Sequence, residues 1–131
     1  MATKLVARQV FKYGVYVLAA LVVLQFFLAG LGIFSSAEWF FFHAVVNGAV
    51  LGLGPLLLAV IGWYGGVDRR TVLVTASFFL LVLLQSLLLA PYHMAAPAAV
   101  RAISALHLVN ALFIFWVALW LMDRVRRTLP A

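Results

Sequence analysis

The sequence contains no cysteine and very few charged residues. Only 9% of its 131 residues are charged, three side chains in all are acidic, and 68% of the residues are hydrophobic. The lack of cysteine excludes disulfides, thiolate-ligated metals, iron–sulfur clusters and covalent haem attachment through a CxxCH motif. A water-soluble domain of ordinary composition carries about 25% charged residues. The composition therefore predicts a membrane protein with one compact domain over residues 1–131.

Carboxylates are missing from every long apolar stretch of the sequence. Glu38, Asp68 and Asp123 all lie at the ends of uncharged runs. Proton pumps and cation-coupled transporters usually need a buried acid, and neither an HExxH motif nor a glycine-rich phosphate loop is present. We therefore predict no catalytic residues, and a small transporter or quinone-binding protein ranks lowest among the functions considered.

What the sequence does contain is four long uncharged runs, separated by charged residues. Each run can cross ~30 Å of hydrocarbon as a helix rising ~1.5 Å per residue, and lipid offers no partner for open backbone groups. The first run is longer than a signal-peptide core of ~7–15 residues, so we expect it to be retained as a span. The runs predict an all-α, four-transmembrane-helix up-down-up-down bundle with spans at roughly 9–34, 38–64, 70–91 and 98–123.

The basic residues lie at the ends of the runs and predict the orientation. Eight of the nine belong to the N-terminus, the loop between the second and third spans, or the C-terminus, and only Arg101 lies on the other side. The positive-inside rule then predicts a bacterial inner-membrane protein with both termini on the cytoplasmic side. The net charge of +6 is interpreted as contacts with anionic membrane lipids, and nucleic acid is not expected as a partner.

Six histidine, asparagine and glutamine side chains lie deep within the predicted spans, all in the half of the bilayer away from the termini. Polar groups at membrane depth are costly, so each is a functional candidate. A weak internal repeat places a Leu-Gln helix before a histidine helix in each half of the chain. The six residues are Gln25, His43, Asn47, Gln85, His107 and Asn110.

The two histidines are predicted to face each other, since the second and fourth helices are diagonal in a simple square bundle. Two imidazoles can ligate one b-type haem iron from both sides, an arrangement suited to electron transfer or haem handling because neither axial site is open. We expect Asn47, Asn110 or a backbone carbonyl to accept the remaining N–H of each ring. Arg101 is expected either to contact a lipid headgroup or to pair with a haem propionate.

The same residues also have a plainer interpretation. Intramembrane His, Asn and Gln side chains form interhelical hydrogen bonds worth ~0.6–2 kcal/mol, and Gln25 and Gln85 are most simply such links. The GxxxG formed by Gly48 and Gly52 permits close approach of either a helix or a flat ring. On this interpretation the chain is a non-catalytic accessory or scaffold subunit of a larger respiratory or photosynthetic complex, or it forms a homodimer.

The order of these features resembles one half of the heme A synthase family. The resemblance rests on a Leu24-Gln25 helix, a histidine helix, a Leu84-Gln85 helix and a last helix with Leu106-His107-Leu108. The chain is also similar to small bacterial four-helix membrane proteins with His-x-x-Asn in the last helix. In the synthase the second and fourth helices supply haem-ligating histidines, so the resemblance implies that His43 and His107 bind haem.

Two departures from that family limit what carries over. The family follows its first histidine with an arginine and places a glutamate three residues before it, whereas Ala44 and Phe40 stand at those positions here. The resemblance therefore implies haem binding, but it does not imply haem hydroxylation.

Overall fold

The chain forms four long helices in a computed structural model, which describes residues 2–129. Each helix is long and apolar enough to cross a membrane, and no strand occurs among the described residues. The predicted all-α, four-helix class is therefore confirmed, and the molecule is a multi-pass membrane protein. The helices are α1 (Ala2–Phe34), α2 (Trp39–Gly65), α3 (Arg69–His93) and α4 (Ala98–Thr128).

The helix ends near the three connections lie close to their predicted positions, whereas the two outermost ends extend further. Helix α1 begins at Ala2 rather than at residue 9, and α4 continues to Thr128 rather than ending at 123. The charged residues at the two chain ends remain helical beyond the apolar segment. Bilayer thickness predicts only the length of the apolar part of a helix, so the predicted lengths of α1 and α4 are too short.

The four helices form a square in which neighbours in sequence are also neighbours in space. Helix α1 packs on α2 and α4, and α3 packs on the same two helices, so α1 is diagonal to α3 and α2 to α4. Helices α1 and α2 make the first hairpin, and α3 and α4 the second. The half of the bundle that carries both chain termini and the connection 66–68 is called the terminal half below. The opposite half, with the connections 35–38 and 94–97, is called the open half.

A buried hydrophobic core fills the terminal half and thins out in the open half. No described residue between 33 and 50, or between 86 and 109, is buried. The open half is therefore loosely packed although its sequence is apolar. The larger core side chains are Phe11, Val15, Leu18, Val22, Leu51, Leu58, Val72, Phe78, Val82, Ile114, Val117, Leu121 and Val125.

Glycine brings α1 and α2 into close contact in the terminal half. A Cβ atom added at Gly62 would lie 2.5 Å from the ring of Phe11, and one added at Gly14 would lie 2.5 Å from Leu58. These glycines allow the two helices to approach closely, as small residues do between membrane helices. The predicted GxxxG does not act in this way at both positions, because no atom lies within 4 Å of a Cβ built at Gly48.

The two hairpins are joined by a tightly hydrogen-bonded turn. Gly66 adopts a left-handed conformation with φ of 74°, and the amides of Gly66 and Val67 donate to the carbonyls of Trp63 and Gly62. This is a Schellman ending, which favours glycine. The guanidinium of Arg8 adds a hydrogen bond of 2.6 Å to the Gly65 carbonyl, so a cation stabilises the C-terminus of α2.

Helix α3 then begins with a side-chain cap. The carboxylate of Asp68 accepts hydrogen bonds from the Thr71 amide at 3.1 Å and the Thr71 hydroxyl at 2.7 Å. Arg124 of α4 lies 3.5 Å from the same carboxylate. Partial burial by itself raises the pKa of Asp68, but the hydrogen bonds from Thr71 and the charge of Arg124 outweigh it, and the pKa is lowered.

Helix α2 is regular at both ends but widens to a π-helix over Val46–Gly52. The sequence predicts a kink rather than a helix end at Pro55, and the helix indeed continues through Leu53–Gly65. The irregular segment lies just before the proline. Proline lacks an N–H and its ring crowds the carbonyl four residues earlier, here that of Leu51, so the preceding turns lose their regular bonding. π-Helical turns are often found at functional sites.

Candidate functional site

Polar side chains from all four helices meet at one cavity in the open half, where the hydrophobic core ends. The cavity has a volume of about 70 Å³. Apolar side chains of the surrounding helices complete its wall. Its polar lining consists of Gln25 from α1, His43 and Asn47 from α2, Gln85 from α3 and His107 from α4.

The two histidines face each other across this cavity. The centres of the His43 and His107 rings are 6.5 Å apart, and the ring planes are inclined by 49°. Both side chains are half-buried. Because α2 and α4 are diagonal in the bundle, residues 64 positions apart in the sequence become neighbours here.

Each imidazole is held by a backbone carbonyl of the preceding helix. His43 Nδ1 lies 3.1 Å from the carbonyl oxygen of Gln25, and His107 Nδ1 lies 2.8 Å from that of Gln85. A carbonyl oxygen can only accept a hydrogen bond, so Nδ1 carries the proton in both rings and donates it. In the neutral rings Nε2 is then left with a free lone pair, the state required of a metal ligand.

The second hairpin completes its polar contacts internally. The side-chain amide of Asn110 donates to the Gln85 side-chain oxygen at 2.6 Å and to the Leu81 carbonyl at 3.0 Å. Gln85 and Asn110 are both buried. These bonds link α3 to α4 directly beside His107. The part of the cavity wall formed by these two helices is therefore fixed.

The first hairpin leaves its corresponding amide without a partner. The Gln25 side chain is only 8% exposed, and neither its nitrogen nor its oxygen forms a hydrogen bond with a described residue. Asn47 lies in the π-helical segment, and its amide reaches Ser86 of α3 at 3.4 Å instead. An unsatisfied buried amide costs about 1–3 kcal/mol, so a ligand or water at this position would stabilise Gln25.

The spacing of the two rings fits a metal ion between them. A metal–imidazole bond of about 2.0 Å, with about 1.1 Å more from nitrogen to ring centre, puts two opposed imidazoles about 6 Å apart. The measured separation of 6.5 Å is close to this value. The described residues contain no cluster of three or more His, Cys, Asp or Glu side chains, so a bound metal would take its remaining ligands from elsewhere. A porphyrin supplies four such ligands.

The remaining predicted residues lie outside the cavity. Arg101 is exposed near the start of α4, and within residues 2–129 its guanidinium has no hydrogen bond or ion pair. Asn110 lies behind Gln85 and does not bind a histidine. Of the three acceptors considered for the ring N–H groups, the structure selects backbone carbonyls. The acceptors belong to Gln25 and Gln85, the glutamines of the Gln-then-His repeat, but the atoms involved are main-chain carbonyl oxygens.

Comparison with known proteins identifies the family of this chain. Residues 25–91, just over half of the sequence, match a family of unknown function, DUF6220, and the chain belongs to that family. The matched segment includes Gln25, His43 and Gln85 and ends before His107. No curated protein and no solved structure matches the chain.

Proposed function

We propose that this member of the DUF6220 family is a small membrane-bound b-type haem protein with His43 and His107 as axial ligands. The observation that carries the proposal is the pair of opposed imidazoles, each with Nδ1 fixed on a carbonyl and Nε2 free at the same cavity. Haem iron held in this way has both axial positions taken, and its chemistry is one-electron transfer.

The looseness of the open half supports a large apolar ligand. A cavity of about 70 Å³ is much smaller than the ~300–1,000 Å³ of typical cofactor sites. Admitting a porphyrin therefore requires the helices to separate around the cavity. The segments 33–50 and 86–109 contain no buried residue, so on the side of the open half this separation meets little packing, and the core residues it disturbs are those that line the cavity, among them Val22, Leu51 and Val82. The packed core of the terminal half holds the four helices together while the open half widens.

Two further residues are assigned to the bound state. Gln25 supplies an amide at the cavity that no protein group satisfies. Arg101 lies six residues before His107, about 9 Å along a helix, and is a cation without a partner among the described residues. We assign Arg101 to a haem propionate at the membrane surface, Asn47 and Gln85 to the walls of the site, and Asn110 to the hydrogen bond that holds Gln85 in place.

The distribution of basic residues supports the predicted orientation. Eight of the nine Lys and Arg side chains lie at the terminal half, so both termini belong in the cytoplasm and the haem lies toward the outer leaflet. In a bacterial inner membrane, this position suits exchange of electrons with a partner on the outer side or within the bilayer.

An absorption spectrum of the detergent-purified protein, produced with haem supply, tests the proposal. We expect a reduced-minus-oxidised spectrum with sharp Soret and alpha bands, and loss of these bands in both His43→Ala and His107→Ala. The matched control is His93→Ala, because His93 is exposed in the open half and does not line the cavity. Circular dichroism checks that each variant remains helical.

Retention of the full spectrum in both cavity variants would contradict haem ligation by these histidines. Co-purification of the chain within a larger complex, with no haem of its own, would instead favour an accessory subunit whose polar layer links helices.

The small volume of the cavity favours a second candidate, a bare metal ion held by the same two histidines. Imidazole suits copper, zinc and nickel as well as iron, and about 70 Å³ is enough for an ion and a few waters. Elemental analysis of the purified protein distinguishes the candidates. Stoichiometric copper or zinc that is lost in His43→Ala, without haem absorption, would favour the ion.

A further inference from the structure

A groove runs between α3 and α4 in the terminal half, away from the histidine cavity. Its volume is about 450 Å³. At the charged end of the groove, the guanidinium of Arg70 lies 5.4 Å from the centre of the Trp120 ring. Further along the wall, Phe113 stacks on Trp116 with ring centres 5.7 Å apart. Several wall residues are exposed, Leu80 by 63% and Trp116 by 60%. In a membrane this groove is therefore covered by lipid or by another apolar group.

The length of the groove matches one leaflet of a bilayer. On α3 it extends from Arg70 to Leu81, which is about 16 Å at 1.5 Å per residue. Half of a hydrocarbon core of ~30 Å is about 15 Å. A single acyl chain lying in the groove would thus run from the headgroup level to the centre of the bilayer.

The positive charge of Arg70 at the charged end of the groove favours an anionic headgroup. The acidic side chains of this half are already paired, Asp68 with Arg124 and Asp123 with Arg126 and Arg127. Arg70 has no carboxylate partner within residues 2–129, and its contact with Trp120 leaves guanidinium N–H groups free to donate. Arginine binds phosphate oxygens in a fixed two-point geometry.

We propose that the groove binds one anionic phospholipid of the leaflet at the terminal half. Arg70 binds the phosphate, Trp120 positions the guanidinium through its ring face, and one acyl chain lies against Leu80 and Trp116. The site is separate from the histidine cavity and does not depend on haem. A zwitterionic lipid binds less well, because its ammonium group meets the surrounding arginines.

Native mass spectrometry after reconstitution tests the site. The protein is placed in nanodiscs with equal amounts of phosphatidylglycerol and phosphatidylcholine, extracted in mild detergent, and examined for retained lipid. We expect retention of one phosphatidylglycerol, preferred about fivefold, which corresponds to roughly 1 kcal/mol for one basic residue near anionic lipid. The variant Arg70→Gln should lose this preference.

Two variants separate a defined site from general attraction by the basic end. Arg69→Gln removes the same charge at the adjacent position but does not line the groove, so it should retain the lipid as wild type does. Leu80→Trp fills the groove and leaves Arg70 in place, so it should reduce retention. Equal effects of Arg69→Gln and Arg70→Gln, or unchanged retention in Leu80→Trp, would overturn the proposal, provided that the variants elute and melt like the parent.

Discussion

The two hairpins have similar sequences but are held together by different means. All nine glycines precede residue 67, and in the first hairpin several bring α1 against α2, with Gly62 on Phe11 and Gly14 on Leu58 in the terminal half and Gly32 on Phe40 near the connection 35–38. The second hairpin has no glycine and relies instead on the Asn110 amide, which bonds both the side chain of Gln85 and the backbone of α3. The first hairpin is thus held by close glycine contacts at both ends, and the second by side-chain hydrogen bonds beside the cavity.

This difference leaves the cavity with one rigid side and one adaptable side. His107 has the Gln85–Asn110 link at its base, whereas His43 stands between an unsatisfied Gln25 and a π-helical segment. A ligand that enters between the histidines therefore meets resistance mainly from α3 and α4. We expect α2 to provide most of the movement.

The largest expected effect tests the glycine contact of the first hairpin. Gly62→Ala places a Cβ 2.5 Å from the ring of Phe11, which is fully buried in the core. We expect a loss of about 2–3 kcal/mol in unfolding free energy, measured by titration with SDS in mixed micelles. Gly48→Ala is the control, because open space surrounds that position, and equal losses in the two variants would remove the distinction.

The next effect concerns the asparagines that follow the two histidines. Asn110→Leu removes one buried and one partly buried hydrogen bond, and we expect a loss of about 1.5 kcal/mol, near the upper end for membrane hydrogen bonds. Asn47→Leu removes one exposed bond of 3.4 Å and should cost less than about 0.5 kcal/mol. The same unfolding titration compares them. Equal costs would mean that the hairpins do not differ in this link.

The glutamines should respond with opposite signs in the ligand-free protein. Gln85→Leu breaks the bond to Asn110 and is expected to destabilise by about 1 kcal/mol. Gln25→Leu removes an amide that is buried without a partner and should stabilise by a similar amount. Melting temperatures in detergent measure both. Destabilisation by Gln25→Leu in haem-free protein would show that the amide already has a partner.

The smallest effect lies at the connection between the hairpins and depends on pH. At neutral pH we expect Asp68→Ala to cost about 0.5–1 kcal/mol through loss of the α3 cap. The pKa of Asp68 in the folded protein is below its ordinary 3.8, so its contribution is present above that pH and is lost as the pH falls through the lowered value. The difference between variant and parent should therefore close in strong acid.

Glu38→Ala is the control for this measurement, because Glu38 precedes α2 in the same way but makes no side-chain cap. Its melting temperature should match the parent at both pH values. A gap for Asp68→Ala that persists in strong acid would contradict the role of the ionised carboxylate.

Much of the fold follows from composition because a bilayer permits few structures. Uncharged runs of sufficient length must be helices, and short connections make neighbours antiparallel, so four spans already specify the square. The polar layer was also predictable, since polar side chains in a membrane cluster with one another. The convergence of Gln25, His43, Asn47, Gln85 and His107 on one cavity follows from these two constraints.

Other features were not accessible to sequence patterns. The π-helix over Val46–Gly52 depends on how α2 accommodates Pro55 against its neighbours, and Asn47 within it bonds Ser86 and no histidine. Gly62 looked no different from Gly48, because only the packed structure shows which glycine meets a ring. A carbonyl acceptor carries no sequence signature, since every residue has one.

The carbonyls that hold the two imidazoles have a consequence for how this site can vary. Because the main chain of residues 25 and 85 orients His43 and His107, any residue type at those positions preserves the orientation as long as the helices keep their register. Substitutions of Gln25 or Gln85 would then act through packing and stability, whereas only changes of the histidines would remove an imidazole from the cavity. Conversely, a one-residue insertion in α1 or α3 would shift the carbonyl that orients His43 or His107, an effect that a side-chain substitution at residue 25 or 85 does not have.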